Sequence, residues 1–175
     1  MAHGCLWNVN HCVSGIPLTY ELYTGTGYND STSPWSIINP TNKINLNDFP
    51  TGAGCFYALL NLHSIYNTVP IDVNFTFKRE TGETIYTHTE TIPVPPAGQY
   101  WDWYSTVAWA VKDEYEVNSG GRYTCDICLT GDITGCETTH MDVTGFDIDK
   151  ILPIALIGIG AVAVLYGLSQ RGNTK

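Results

Sequence analysis

The stretch Ile71-Asp72-Val73-Asn74-Phe75-Thr76-Phe77-Lys78 decides the fold. Apolar residues at 71, 73, 75 and 77 alternate with polar ones at 72, 74, 76 and 78, the period-two pattern of a strand with one buried face. Arg79-Glu80-Thr81-Gly82-Glu83 then supplies a glycine-containing turn, and Thr84 to Val94 resumes as a threonine-rich extended run, so the two predict a hairpin. Pro93, Pro95 and Pro96 end it, because proline has no N–H to give to a ladder.

Working outward, Cys55 to His63 (CFYALLNLH) is apolar at nearly every position and suits a central strand. Arg122 to Leu129 (RYTCDICL) follows a Ser-Gly-Gly turn and reads as another strand. Thr138 to Ile148 alternates Met141 and Val143 against Asp142 and Thr144 and reads as the last one. Gln99 to Val117 is consistent with both periods: Trp101, Tyr104, Ala108, Val111 and Tyr115 fall at helical spacing, while Val107, Trp109 and Val111 alternate. The strands on either side favour the extended reading. The expected fold class is therefore all-β, an antiparallel sandwich over residues 38–148. Residues 1–37, rich in Gly, Asn, Ser and Thr, read as an N-terminal arm without its own core, with Ile16 to Tyr23 as an added strand.

Residues 38–148 resemble an immunoglobulin-like sandwich of the kind found in adhesion repeats. The residues that carry the resemblance are the hairpin from Phe75 to Tyr86, the Val94-Pro95-Pro96 corner, the Trp-rich strand, and Gly121-Arg122-Tyr123-Thr124-Cys125. Tyr123, two positions before Cys125, matches the tyrosine corner of that fold, in which the phenol ties back to the backbone. The resemblance implies Cys55, 70 positions before Cys125, as an inter-sheet disulfide partner. The sequence departs from the pattern at Val69 to Val73, where the fold's strand-C tryptophan has no counterpart.

Ile151 to Leu168 (ILPIALIGIGAVAVLYGL) is eighteen residues without a charge. As a helix it spans about 27 Å, close to the thickness of a hydrocarbon core. It is read as a single transmembrane helix within residues 149–170, with a basic tail, residues 171–175, behind it. Gly160, Ala163 and Gly167 share one helical face and would let a second helix approach. Arg171 and Lys175 place the tail in the cytoplasm and the body outside by the positive-inside tendency, although Met1 to Gly15 holds no basic n-region or apolar h-region. Tail anchoring, removal of a signal, and insertion during assembly of a membrane-containing particle all remain open.

The chain has 175 residues and a net charge of -9 from 17 acids and 8 bases, without the basic footprint of a nucleic-acid binder. Residues 113–149 hold nine of the acids and one base, Arg122, so the acidity reads as a patch before the anchor. Asp142, Asp147 and Asp149 read as part of that solvated face. Six cysteines suggest disulfides: Cys5–Cys12 and Cys128–Cys136 by proximity, leaving Cys55–Cys125. The rival is tetrahedral zinc on Cys125, Cys128, Cys136 and His140, which requires a turn because residues 125 and 128 of one strand face opposite ways. His63 and His88 read as structural. No nucleophile elbow, zinc-protease helix or P-loop occurs, so no catalytic residue or cofactor is expected. Tyr100, Trp101, Trp103, Tyr104 and Trp109 form the densest aromatic patch, with Trp101 and Trp103 expected on one face and Tyr100 and Tyr104 on the other.

These features predict a non-enzymatic, membrane-anchored structural protein that contacts the bilayer, other proteins and copies of itself, as a minor capsid or envelope component of a virion. A cell-surface adhesion subunit and a Cys/His metal-binding accessory subunit of a membrane complex are the alternatives.

Overall fold

The computed structural model describes residues 2–5 and 19–145. The 71–78 alternation forms the strand Ile71–Arg79, whose even-numbered residues lie outside while Ile71, Val73, Phe75 and Phe77 are fully buried. In chain order the strands are β1 (Ala2–Cys5), β2 (Thr19–Asn29), β3 (Ser36–Pro40), β4 (Lys43–Asn45), β5 (Gly54–Ile65), β6 (Ile71–Arg79), β7 (Thr84–Ile92), β8 (Trp101–Val111), β9 (Gly121–Thr130) and β10 (Gly135–Thr144).

They make two five-stranded sheets. The first runs β1-β2-β5-β8 with β3 on β2, and the second runs β4-β10-β9-β6-β7. Pairing is antiparallel except for β4, which lies parallel to β10. The inner faces supply one core: Tyr20 and Leu22 from β2, Phe56, Ala58, Leu60 and Leu62 from β5, the 71–77 set from β6, and Tyr123, Cys125, Ile127 and Leu129 from β9. Phe56 and Phe77 meet edge to face across the sheets at 5.0 Å, the offset geometry aromatic quadrupoles favour. This is the all-β, two-sheet architecture read from the alternation, and Trp101–Val111 is strand throughout.

Two expectations are corrected. The boundary at residue 38 falls inside β3, and β2 is an integral strand of the first sheet, paired with β5 from Thr19↔His63 to Gly25↔Tyr57. Tyr20 and Leu22 enter the core, so much of the supposed arm belongs to the sandwich. The last strand ends at Thr144. The run 151–168, with Gly160, Ala163 and Gly167, and the basic tail lie outside the described residues. Among the described residues no helix is long and apolar enough to cross a membrane.

β5 reads as apolar at nearly every position because both of its faces are covered. Leu59 and Asn61, on its outer face, are buried, and Asn61 bonds to the segment leading into β3. Trp35 fixes that segment: its backbone N–H donates to Ser105 Oγ at 3.0 Å, and its carbonyl accepts from Asn61 Nδ2 at 2.9 Å.

Candidate functional site

The aromatic patch does not stay together. Trp109 lies on the outer face of the first sheet, where its ring stacks with Tyr57 at 5.6 Å and Tyr28 at 6.0 Å, and Tyr28 meets Trp35 at 5.7 Å. Trp103 packs against His63 with ring centroids 4.6 Å apart, and His63 Nε2 lies 3.2 Å from Asp102 Oδ1. Trp101 leaves this face. Its ring meets Tyr104 at 6.0 Å and packs against the core, and its indole N–H donates to the Pro93 carbonyl. The expectation that Trp101 and Trp103 share a face is therefore corrected. On the paired strand His63 stays on the outer face with Trp103, whereas Ile65, opposite Trp101, is buried, and Ser64 between them sits at φ +58°. Tyr100 lies before β8, in the connection from β7, and is exposed. The sequence does not point to Tyr28 and Trp35, which extend this cluster, or to Tyr57 as a partner of Trp109. Nothing local in the sequence links them, since the first two lie in the segment read as an arm.

Tyr104 and Thr106, on the inner side of β8, both donate hydroxyl hydrogen bonds to the Glu90 carboxylate on β7. These two strands each have one partner strand in their own sheets. Glu90 thus ties together the two free edges on one side of the sandwich. An inward-pointing charge on an edge strand also opposes edge-to-edge association. Burial, with Glu90 alongside, pushes the Tyr104 phenol above its usual range.

Tyr123 makes the backbone contact expected of it. Tyr123 is buried on β9, and its hydroxyl donates to the Ser119 carbonyl four residues upstream at 3.1 Å.

The cysteines divide by face. Cys128 and Cys136 are directly opposite on β9 and β10, with Cα atoms 4.1 Å apart, and form a disulfide. Cys125 faces the core and, with Cys55, is a free buried thiol, so the pairing of Cys55 with Cys125 is not made. The Cys55 thiol points to the Ala110 carbonyl of its own sheet, 3.7 Å away, while Phe56 supplies the ring that meets Phe77 across the core. Burial, and next the charge of Glu116, pushes the Cys55 thiol up to about 12. Burial also raises the Cys125 thiol well above its usual range. The zinc set Cys125, Cys128, Cys136 and His140 is therefore not assembled, since two of its sulfurs bond to each other and a third faces inward. His140 instead lies 3.3 Å from Asn42. Among the described residues no group of His, Cys, Asp and Glu converges to hold a metal. Cys5 lies on β1, and Cys12 is outside the described residues.

Among the described residues the acidic patch is likewise dispersed, and Asp147 and Asp149 lie outside them. Asp126 pairs with Lys78 at 2.6 Å and accepts from Thr138, while Asp142 pairs with Arg122 at 2.7 Å. Asp113 accepts from the Tyr115 and Glu116 amides, and Asp132 from the Thr68 and Val69 amides. Most of these carboxylates cap turns or pair across strands. Burial opposes ionisation of Asp126, but the Lys78 and Thr138 hydrogen bonds and the Lys78 charge outweigh it and hold its carboxyl below the usual range. A lowered carboxyl stabilises the fold above its unfolded pKa, about 3.9, and loses that contribution as the pH falls through the folded value. Asp126→Asn should therefore cost about 1 kcal/mol or less at pH 7 and nothing at the acid end, as measured by guanidinium unfolding at both.

A cleft of about 460 Å³ opens between β2 and β10, lined by Leu22, Tyr23, Asn42, Thr138, Thr139 and His140. It holds no convergent set of acid, base and nucleophile. No protein-family model matches the chain, and no curated protein matches it in sequence.

Proposed function

We propose that this chain is a membrane-anchored structural protein, a virion component whose immunoglobulin-like sandwich holds a protein layer to a bilayer through protein–protein contacts. The observation that carries the reading is the uncharged run Ile151–Leu168, which begins six residues after the last described residue of a compact all-β body. The immunoglobulin-like assignment is supported by strand order as well as by Tyr123. One sheet places β10, β9 and β6 side by side, as G, F and C lie in that fold, and the other places β2, β5 and β8 as A, B and E. The contacts are assigned to the exposed loops and to the outer face that carries Trp109, with the lipid anchor supplying location.

The test is extraction and co-purification. The full chain is expected to stay with membranes washed in alkaline carbonate, and deletion of residues 151–168 should release it completely. It is further expected to co-purify with a lattice that survives mild detergent. Release of the intact chain by carbonate would sink the anchor. Retention in membranes without any lattice would sink the structural role and leave a free surface protein.

A further inference from the structure

A hydroxyl, an imidazole and a carboxylate line up where β5 ends and β8 begins. His63 Nδ1 lies 2.9 Å from Ser64 Oγ, and His63 Nε2 lies 3.2 Å from Asp102 Oδ1. The ladder between the two strands pairs His63 with Trp103 and Ile65 with Trp101, so Ser64 and Asp102 both stand between paired rows. Trp103 flanks the imidazole, with ring centroids 4.6 Å apart, and restricts its rotation. His63 and Ser64 are half-buried and Asp102 is 71% exposed, so among the described residues the group is open to solvent.

The chemistry of the three groups fixes their roles. An ionised carboxylate only accepts hydrogen bonds, so Asp102 selects the tautomer of His63 with its proton on Nε2. Nδ1 is then an acceptor, and the Ser64 hydroxyl donates to it. Ser64 thus has both neighbours that a serine nucleophile needs. One is a base within hydrogen-bond reach, and the other is a carboxylate that holds the base in the right tautomer and steadies the imidazolium as it forms. The carboxylate takes Nε2 here, where serine proteases use Nδ1, but the exchange is chemically neutral because either ring nitrogen accepts a proton when the other carries one. A residue next in sequence to a histidine meets Nδ1 because that nitrogen is the nearer to the backbone. Ser64 also sits at φ +58°. Residues other than glycine seldom occupy this left-handed region, and those that do gather at functional sites.

We propose that Ser64 is a nucleophile that takes the acyl group of an uncharged carboxylic ester, with His63 as its general base and Asp102 as the residue that positions His63. Ser64 Oγ bonds to the ester carbonyl carbon, and its proton passes to His63 Nδ1. The bond from that carbon to the leaving oxygen breaks, and the imidazolium returns the proton to the departing alcohol. A water that gives its proton to the same nitrogen then attacks the acyl group, which leaves as the carboxylic acid and restores the Ser64 hydroxyl. Charge sets the substrate class. Asp102 adjoins the base, and Glu21 stands on the same outer face, two residues along β2 from Thr19, the partner of His63. Both carboxylates disfavour an anionic ester. This activity is additional to the structural role and does not depend on the anchor.

The test treats the full-length chain with an uncharged alkyl fluorophosphonate and maps the adduct by peptide mass spectrometry. In that reagent Ser64 Oγ bonds to phosphorus, fluoride leaves, and His63 takes the proton. Ser64 is expected to react at least tenfold faster than any other serine of the chain, and unfolding in guanidinium should abolish the difference. Asp102→Asn should slow the Ser64 reaction at least tenfold at an unchanged unfolding midpoint, because Asp102 is largely exposed, and Asp102→Glu should restore most of the rate. His63→Gln should bring it down to the rate of the other serines. If His63→Gln or Asp102→Asn shifts the midpoint, the other decides. Ser64→Gly keeps a residue suited to the positive φ and should lower p-nitrophenol release from p-nitrophenyl acetate at least tenfold. The proposal is overturned by a Ser64 that stays unlabelled, by labelling spread evenly over the serines, or by a rate that Asp102→Asn leaves intact. Ester hydrolysis that Ser64→Gly does not change overturns it too.

Discussion

Phe77→Ala is expected to lower the unfolding free energy by about 3–5 kcal/mol, the range for removing a buried phenylalanine ring. Phe77 is fully buried on β6. Its ring meets Phe56 of the facing sheet at 5.0 Å and Tyr86 of the neighbouring strand at 5.9 Å, so its loss opens a cavity between the two sheets beside the β6–β7 hairpin. β-strand backbones on both sides are held by their ladders and cannot collapse into that space. Against a typical domain stability of about 5–15 kcal/mol, the change leaves little reserve. Guanidinium unfolding followed by tryptophan fluorescence should show a much lower midpoint at unchanged slope. Trp109→Ala, which removes a larger ring from the outer face, should cost less, because Trp109 is 40% exposed and bridges no sheets. A Phe77→Ala loss smaller than the Trp109→Ala loss would mean that the aromatic outer face, and not the inter-sheet core, holds the sandwich together.

The legibility of this fold follows the same division. The strands with clean alternation are readable, because alternation is written locally: Ile71 to Phe77 and Tyr123 to Leu129 point inward as spaced. Tyr123 was readable too, since its partner Ser119 lies in the adjoining turn. What the sequence hid depends on contacts between distant residues. β2 looked like an arm because Gly25 and Gly27 interrupt its pattern, and only the structure shows Ile37, Ile38 and Asn39 closing on Gly25, where a Cβ would come within 2.9 Å of all three. Trp101 and Trp103 part at the start of β8, where Ile65 of the paired strand is buried and His63 is not. The acids of residues 113–149 form one patch in sequence, but among the described residues Asp126 and Asp142 pair with Lys78 and Arg122 across strands while Asp113, Glu116 and Asp132 accept from backbone amides in turns. The candidate site was therefore legible in composition and not in position: His63 was singled out, whereas Ser64 and Asp102, its partners in space, were not.

Replacing Cys128 and Cys136 together by serine is expected to cost about 2.5 kcal/mol, the loop-closure entropy of an eight-residue link. The ladder should survive, because Asp126 and Thr138 occupy the adjacent row and are hydrogen-bonded at 2.7 Å. The same experiment separates disulfide from metal chemistry through thiol reactivity. The thiolate is the reacting form, and burial, which closes Cys55 to reagent, also pushes its thiol up to about 12. Cys125 is fully buried and raised as well. In native wild-type chain, iodoacetamide should leave the peptides bearing Cys55 and Cys125 unmodified. In guanidinium without reductant both should react completely, while Cys128 and Cys136 should wait for reductant. A chelator should alter none of these rates. Recovery of a peptide linking Cys55 to Cys125 would restore the inter-sheet bridge that the immunoglobulin-like pattern implies. Protection of Cys128 and Cys136 that a chelator relieves would instead move the pair from covalent staple to metal ligand. The first result would add a covalent tie between the two sheets, and the second would change what holds β9 against β10 next to the turn that carries Asp132.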